Sequence, residues 1–546
     1  MTEKASPEIE SVRAAEVIAA ACLATDLGMG FPFEHGLHGT LMAMRLADLL
    51  DVDRETESQT YYASLLMYSG CTTDLDIAQR IFAGSRTENF TPRMMGSPLE
   101  AFAGFVRALP PPDAPPLRRG YEVGRRLIPV GRFVKPHMTA ICDVAEMLAK
   151  RLGMPPAIHK LFALLTERWD GKGLLKRAKG EEVPLPLRIV GVARDAAYQR
   201  VLGGDDLAVD VIRRRAGHAF DPRVAARFVE EAPEIMAAAA GAGPAWEAIL
   251  AAEPRPWLTL EDEGVDRALA AIGDFADLVS PYLSGHSSGV AELAETAGRL
   301  CGFDPSDVAL VRRAAFVHDV GRVAIDPRVW QKPAALTVDE WEQVRLHPYH
   351  TERVVLRPGF LASLAEPACA HHERLDGDGY HRRMSASALP PAARLLAAAD
   401  AFHAMREPRP YRPGLSPEEA AKLLSEEAHA GRQDSETVAA VIEAAGQPAP
   451  PVERPAGLTD REAEVVGLLA RGLQTKQVAR RLGISIKTAD RHIQNAYRKI
   501  SVSSRAAATL FAMEHGLVPQ PGPFVRAAKD TRRRADPTPT RPELRS

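Results

Sequence analysis

An all-α fold is predicted by three features of the sequence. Alanine, leucine, arginine and glutamate recur at helical spacing, and no stretch alternates apolar with polar residues over a strand's length. Several helix starts are also marked by capping boxes: Thr337 with Glu340, Ser416 with Glu419, and Thr459 with Glu462. Pro417 takes the favoured first helical position. A chain of 546 residues has room for two to four domains. Its 46% hydrophobic and 25% charged content is that of a soluble globular protein. A net charge of -3 gives no overall pull toward nucleic acid or membrane, so such a partner needs a local patch. The polar start "MTEKASPEIE" and the lack of an 18-residue apolar run argue against a signal peptide or a membrane span. Five scattered cysteines without a CxxC pair read as the thiols of a reduced, cytoplasmic protein.

Residues 1–29 read as an N-terminal segment, followed by two modules that repeat one pattern. "ERWDGKG" (Glu167–Gly173) mirrors "ERLDGDG" (Glu373–Gly379), and 21 residues after each glutamate an arginine, Arg188 or Arg394, opens an apolar helix. Upstream, His35 in "EHGLHG" corresponds to His286 in "SGHSSG". Thirty-two residues beyond each histidine an apolar helix ends in a tight turn, "SLLMYSGC" or "AAFVHDVG". The modules are expected at 30–240 and 258–445, parted by the proline-rich "GAGPAWEAILAAEPRPW". A linker at 446–456, "GQPAPPVERPA", leads to a basic segment at 457–517, and a tail at 518–546 has too little to bury and reads as disordered.

The second module gathers ligand-type side chains. His286 opens an amphipathic helix, His318 and Asp319 end the next, and His347 closes a third just before Pro348. His371 and His372 precede a glycine-rich turn, and Asp400 lies in "LLAAADAFHAM". A lone histidine at a helix end is ordinary; five imidazoles and two carboxylates at helix ends and turns are not. Asp319 and Asp400 sit in apolar stretches, where an unpaired carboxylate is costly to bury. The set exceeds the needs of one tetrahedral ion and suits two ions bridged by a carboxylate, with Asp319 the natural bridge.

Together these motifs resemble an HD-GYP domain, the branch of the HD phosphohydrolases that hydrolyses cyclic dinucleotides. The matching residues are His286, "HDVGR", "HP", "HHERLDGDGYH", Asp400 and "RPYR". The resemblance implies metal ligands at His286, His318, Asp319, His347, His371, His372 and Asp400, holding two divalent transition-metal ions, iron or manganese. It implies metal-assisted hydrolysis centred on Asp319, with Arg322 offsetting charge on the phosphoryl oxygens. Gly377, Gly379, Tyr380, Arg409 and Arg412 are the substrate-binding candidates. The chain departs from the family pattern at four places. Arg322 replaces a lysine and keeps the charge but is a poor proton donor; His381 replaces the proline of GYP; His403 replaces an aspartate. Tyr282 stands where three-metal members carry a glutamate, which implies two ions. In the first module the corresponding residues are Met67, Tyr68, Leu165, Thr166 and Arg194, and His35 alone survives at a clear register. That copy is degenerate and is expected to serve packing, dimerisation or ligand sensing.

Residues 457–517 carry ten Lys/Arg against five Asp/Glu, a local surplus of five positive charges. "TDREAEVVGLLARG", "TKQVARRLG" and "SIKTADRHIQNAYRKI" form helix, turn and helix, and the last presents Lys487, Thr488, Arg491, His492 and Asn495 away from its apolar face. With Lys476 these are the DNA-binding candidates. The segment resembles the LuxR-type DNA-binding domain, which implies double-stranded DNA as partner and a homodimer formed by the preceding domains. The reading is a cytoplasmic DNA-binding regulator with a metal-dependent phosphodiesterase domain for a cyclic dinucleotide such as cyclic di-GMP. Its rivals are a transcription factor whose metal centre only senses ligand, and a hydrolase of another phosphoester.

Overall fold

A computed structural model describes residues 11–70, 82, 91–111, 114–240, 243–448, 454–515 and 517. The expected disordered tail, and residues 449–453 of the expected linker, lie outside these. The fold is all-α; among the described residues the strands are β1 (Val12–Arg13) and β2 (Thr259–Leu260), paired antiparallel. No helix is long and apolar enough to cross a membrane among the described residues. The chain divides into two compact units. One comprises Met1–Glu373, Gly379–Arg383 and Pro391–Val452; the other comprises Arg374–Asp378, Met384–Pro390 and Glu453–Ser546.

The first unit contains both modules. The first module holds α1 (Ala14–Met29), α2 (His35–Leu49), α3 (Arg54–Leu65), α4 (Pro98–Ala108), α5 (Pro116–Arg151), α6 (Leu185–Arg215), α7 (Pro222–Glu230) and α8 (Ala232–Ala239). After α9 (Ala245–Ala251) the second holds α10 (Asp262–Asp277), α11 (His286–Leu300), α12 (Pro305–Val317), α13 (Val338–Arg345) and α14 (His347–Val355). It continues through α15 (Ala362–Cys369), α16 (Pro391–Arg406), α17 (Pro417–His429) and α18 (Ser435–Ala444).

The repeat is visible in how the helices begin. Both α2 and α11 start at a histidine, and the residue before each, Glu34 or Gly285, takes a left-handed φ of 72° or 82°. A buried carboxylate satisfies an early N–H of each: Asp26 accepts from Gly36 at 3.1 Å, and Asp277 from Ser287 at 2.9 Å. Arg188 in α6 donates to Asp221, the N-cap of α7, at 2.7 Å, and Arg394 in α16 donates to Asp434, the N-cap of α18, at 3.2 Å. The two arginines read from spacing therefore do the same work, tying an apolar helix to the start of a later one. The modules share one buried cluster, in which Val17, Leu23 and Tyr61 pack with Val290, Phe316 and Leu395. Arg13 donates to Glu253 at 2.8 Å, and Tyr62 donates to the same carboxylate at 2.6 Å.

Three expectations differ from the structure. The N-terminal segment supplies α1, buried along most of its length, because its alanines and valine leave it no solvent face. The proline-rich break at 241–257 contains α9, anchored by the fully buried Trp246, whose indole N–H donates to the Pro358 carbonyl at 3.2 Å. His347 opens α14 rather than closing α13: Pro348 needs no N–H donor and is well placed at a helix start.

The second unit contains α19 (Asp460–Ala470), α20 (Thr475–Arg481), α21 (Ile486–Lys499) and α22 (Arg505–Glu514). The Thr459–Glu462 capping box forms, and Glu462 also pairs with Lys499 at 2.7 Å. Gly472 and Gly483, at φ 93° and 65°, end α19 and α20 in the left-handed conformation.

Candidate metal centre

The seven side chains singled out in the second module meet in one place. His286 is the first residue of α11, His318 and Asp319 follow α12, and His347 is the first residue of α14. His371 and His372 follow α15, and Asp400 lies within α16. Asp319 stands at the middle with its two oxygens facing opposite groups. Oδ1 is 3.2 Å from His347 Nε2 and 3.4 Å from His371 Nε2; Oδ2 is 2.9 Å from His318 Nε2 and 3.2 Å from His286 Nε2. Asp400 joins them, with Oδ1 3.1 Å from His286 Nε2 and Oδ2 3.7 Å from His372 Nδ1. Among the described residues three groups could each hold a cation: His347, His371 and His372; His286, His318, Asp319 and Asp400; and His286, His403 and Glu407, which shares His286 with the second.

Asp319 and His318 are wholly buried, yet Asp319 Oδ1 and Oδ2 and His318 Nε2 have no hydrogen bond. The Arg322 guanidinium meets Oδ2 as an ion pair, and Oδ1 faces imidazole nitrogens alone; buried lone pairs in that state are costly unless a cation takes them. The donor set, imidazole nitrogen with carboxylate oxygen, suits a first-row transition metal.

The ring orientations are fixed locally. His318, His347 and His371 each donate Nδ1–H to the carbonyl three residues back, Ala315 at 2.6 Å, Val344 at 2.6 Å and Ala368 at 2.7 Å. A carbonyl only accepts, so in the neutral ring the proton sits on Nδ1 and Nε2 is the nitrogen turned toward the centre. At the head of α11 His286 makes no such carbonyl bond; its Nδ1 lies 3.0 Å from Glu407 Oε2. Glu407 also faces His403 at 3.3 Å and Arg409 at 2.9 Å. The tight turn after Asp319 passes so close to α14 that a Cβ on Gly321 would strike the His347 carbonyl. Thr351 locks that turn, donating to the His318 carbonyl at 2.8 Å and accepting from Gly321 N–H at 3.0 Å.

Charge is distributed unevenly. Burial works to raise the Asp319 carboxyl, but Arg322 and His318 hold it well below the usual range. Burial works to lower His318, and Asp319 with Asp400 reverses this to about 9. Burial pushes His347 down to about 4. Arg322 is buried, with Nη2 2.5 Å from Asp319 Oδ2 and 3.4 Å from His286 Nε2, while Nε and Nη1 have no hydrogen-bond partner.

The substrate-binding candidates separate. Gly379 is buried, and the Tyr380 ring lies 4.7 Å from the His372 ring. Gly377 lies in a turn of the second unit with φ 81°. Arg409 donates to the Tyr282 carbonyl at 3.1 Å as well as to Glu407. Arg412 turns its donors to its own loop, reaching the Ala404 carbonyl at 2.8 Å and the Met405 carbonyl at 3.1 Å, and so shapes the turn. Little in the sequence signals Glu407; His403, one of the departures from the family pattern, joins it beside His286. Their spacing from Asp400, seven residues for Glu407 and three for His403, was the available signal for a shared helix face.

In the first module aromatic rings close around His35: Phe31 at 4.7 Å, Tyr198 at 6.0 Å and Tyr68 at 6.3 Å between centroids. Tyr68 stands at the position of Asp319, and among the described residues no cluster able to hold a metal includes a first-module side chain. In the second unit Ala489, Ile493 and Ala496 are buried on α21, whereas Lys487, Thr488 and Arg491 are exposed, as is Lys476 on α20. His492 is half-buried, and Asn495 accepts from Arg498 at 2.6 Å.

Residues 271–437 match the family described as HD domain, and residues 456–512 match bacterial regulatory proteins of the luxR family. The chain is similar to 3'3'-cGAMP-specific phosphodiesterase 3 of Vibrio cholerae, 27% identical over 433 residues, covering 76% of this chain and 91% of that protein. It is 30% identical over 172 residues to 3'3'-cGAMP-specific phosphodiesterase 1 of the same organism, covering 31% of this chain and 40% of that one. It is 34% identical over 137 residues to a cyclic di-GMP phosphodiesterase of Thermotoga maritima, covering 25% and 37%. Among solved structures, a cyclic GMP-AMP-specific phosphodiesterase of V. cholerae shares the fold, with a TM-score of 0.57 and 23% identity over 80% of this chain and 98% of that one.

Proposed function

We propose that this chain, which carries an HD-GYP-type HD domain preceded by a degenerate copy and followed by a LuxR-type DNA-binding domain, is a metal-dependent cyclic dinucleotide phosphodiesterase that binds DNA. The observation carrying this reading is Asp319, a buried carboxylate set between two histidine groups, whose oxygens face imidazole nitrogens on both sides and whose charge within the protein is met by the Arg322 guanidinium. His286, His318, Asp319 and Asp400 would hold one cation, and His347, His371 and His372 with the other oxygen of Asp319 a second. Iron or manganese fits that mixture of nitrogen and oxygen. When bound, such cations supply Lewis acidity and a nucleophile at neutral pH.

The chain's own groups bind and orient the phosphodiester. Arg322 directs Nε and Nη1, which lack partners, to the phosphoryl oxygens and offsets the charge that develops there. It does not release a proton, so the departing ribose oxygen takes one from water. Arg409 holds the second phosphate, and Tyr380 walls the site beside His372. Relatives named for 3'3'-cGAMP and cyclic di-GMP support this substrate class. The LuxR-family match, with exposed Lys476, Lys487, Thr488 and Arg491, supports double-stranded DNA as the second partner. In this reading a homodimer binds it.

The rival reading, a centre that senses the nucleotide without cleaving it, draws on Arg322, whose guanidinium rests on Asp319 at 2.5 Å. Turnover of cyclic di-GMP and 3'3'-cGAMP by manganese- or iron-loaded protein, with Asp319→Ala as control, separates the two. Hydrolysis lost in the variant supports the enzyme, and tight binding without product supports the sensor. A chain that takes up neither metal nor nucleotide excludes both. Nucleotide is also expected to change affinity for DNA; equal affinity with and without it ends the idea of coupling.

A further inference from the structure

The first module has no metal-capable cluster among the described residues, yet those residues leave a cavity beside its surviving histidine. A cavity of about 600 Å³ opens between α2, α6, the end of α8 and the start of α9, with Ala240 and Gly243 at its edge. Small-molecule sites commonly measure about 300–1,000 Å³. His35, His38 and Arg200 reach it, set in an apolar wall of Leu41, Met42, Val201 and the alanines at 238–240.

The second module shows why the room exists. On the repeat register Gly289 stands where His38 does, and His403 where Ala197 does. There the His403 ring fills the helix crossing so closely that a Cβ on Gly289 would collide with it. In the first module the imidazole comes from the opposite helix, and Ala197 leaves the crossing open on the side that Arg200 and Val201 line.

The polar groups at this cavity are only partly used. His35 is 4% exposed, and its ring makes aromatic contacts but no hydrogen bond among the described residues. The ring lines the cavity, where a ligand atom could meet its nitrogens. Burial holds its pKa down at about 4, so at neutral pH it offers one N–H and one bare nitrogen. Arg200 places Nε 2.8 Å from Asp205 and donates Nη1 to the Met236 carbonyl at 3.2 Å, so its fork keeps a further nitrogen for an anion.

We propose that the first module binds a small organic monoanion with an apolar body in this cavity, the anionic group on Arg200 and a neutral polar edge on His35. The degenerate copy then has a function of its own, as a ligand-binding module beside the metal centre.

The test uses the full chain and 8-anilinonaphthalene-1-sulfonate, an aromatic body with one sulfonate, followed by fluorescence titration and equilibrium dialysis. The expected result is one saturable site per chain, weakened at least tenfold in Arg200→Glu and lost in Val201→Trp, which fills the cavity from a half-exposed position. Thermal unfolding of both variants should match the wild type, and either one alone suffices if the other fails to fold. Asp319→Ala should keep the site. No saturable binding, or binding as tight in both cavity variants as in the wild type, overturns the proposal. Binding lost in Asp319→Ala but kept in Val201→Trp also overturns it, by placing the probe at the metal centre.

Discussion

Glu407 accepts from His286 Nδ1 at 3.0 Å, while the Nε2 of the same ring faces Asp400 at 3.1 Å and Asp319 at 3.2 Å. A carboxylate behind an imidazole fixes the tautomer and raises the basicity of the nitrogen that meets a metal. The other three rings whose Nδ1 is fixed use backbone carbonyls, so only His286 depends on a replaceable side chain. Glu407→Gln keeps the shape and removes the charge. Metal affinity at this group is expected to fall about 10–100-fold. Manganese titration with detection of bound metal checks it, and unchanged affinity would falsify the assignment of Glu407 to that role.

Arg322 has two nitrogens without partners in a buried site, an arrangement that suits an incoming phosphate. Arg322→Ala should lower kcat/KM by about 10²–10³, the scale seen when one donor to a developing oxyanion is removed. Arg322→Lys keeps the charge and adds a group able to give a proton, so it should retain more activity than the alanine variant. Steady-state kinetics at matched metal content decide; equal rates for wild type and Arg322→Ala exclude a part for the guanidinium in the reaction.

His35 should make the first module sensitive to acid. Burial, with the nearby charge of His38, holds its pKa at about 4, against about 6.5 when unfolded. The unfolded chain therefore binds a proton that the folded one does not, between those two values. This contribution to stability is complete above pH 6.5 and is lost as pH falls toward 4. Between pH 7 and 5 it amounts to about 2 kcal/mol. His35→Phe, which suits the surrounding rings Phe31, Tyr68 and Tyr198, should flatten the fall in melting temperature over that range. Parallel pH profiles for the two proteins would show that His35 does not titrate this way.

The metal-type residues were legible because their chemistry is written in their identity: imidazoles and acids at helix ends in apolar surroundings have few other uses. The repeat was legible because Arg188 and Arg394 keep their spacing and, as the structure shows, their carboxylate partners. Glu407 was not, since its meeting with His286 spans 121 residues and depends on how the end of α16 returns to α11. Arg412 misled for a related reason. Its charge is visible in the sequence, but the carbonyls that absorb its donors exist only once the loop folds. The helix hidden in the proline-rich break was masked by its flanks: seven residues are too few for periodicity to show, and burial of Trp246 is what holds them.

In the DNA-binding segment, α21 divides its candidate residues by what already occupies them. Ser485 caps the helix, accepting from Thr488 N–H at 3.0 Å, and its hydroxyl lies 2.8 Å from the Thr488 hydroxyl. Asn495 is engaged by Arg498 at 2.6 Å. Lys487 and Arg491 are exposed, and no salt bridge to either side chain is found among the described residues. Lys487 lies in the first turn, and its ammonium suits a phosphate as a point charge. Lys487→Ala should weaken binding to all DNA sequences alike and reduce the salt slope of log K by about 0.9. Arg491, one turn on, has the fork that reads guanine edges in a major groove. Arg491→Ala should cost about 1–3 kcal/mol and relax preference at one position of the site. Asn495→Ala should cost less than either, because its amide oxygen is committed within the helix. Titrations against a selected operator and a scrambled duplex at several salt concentrations give all three values. An Asn495 effect larger than that of Arg491, with the Lys487 slope unchanged, would mean that α21 does not meet DNA through this face.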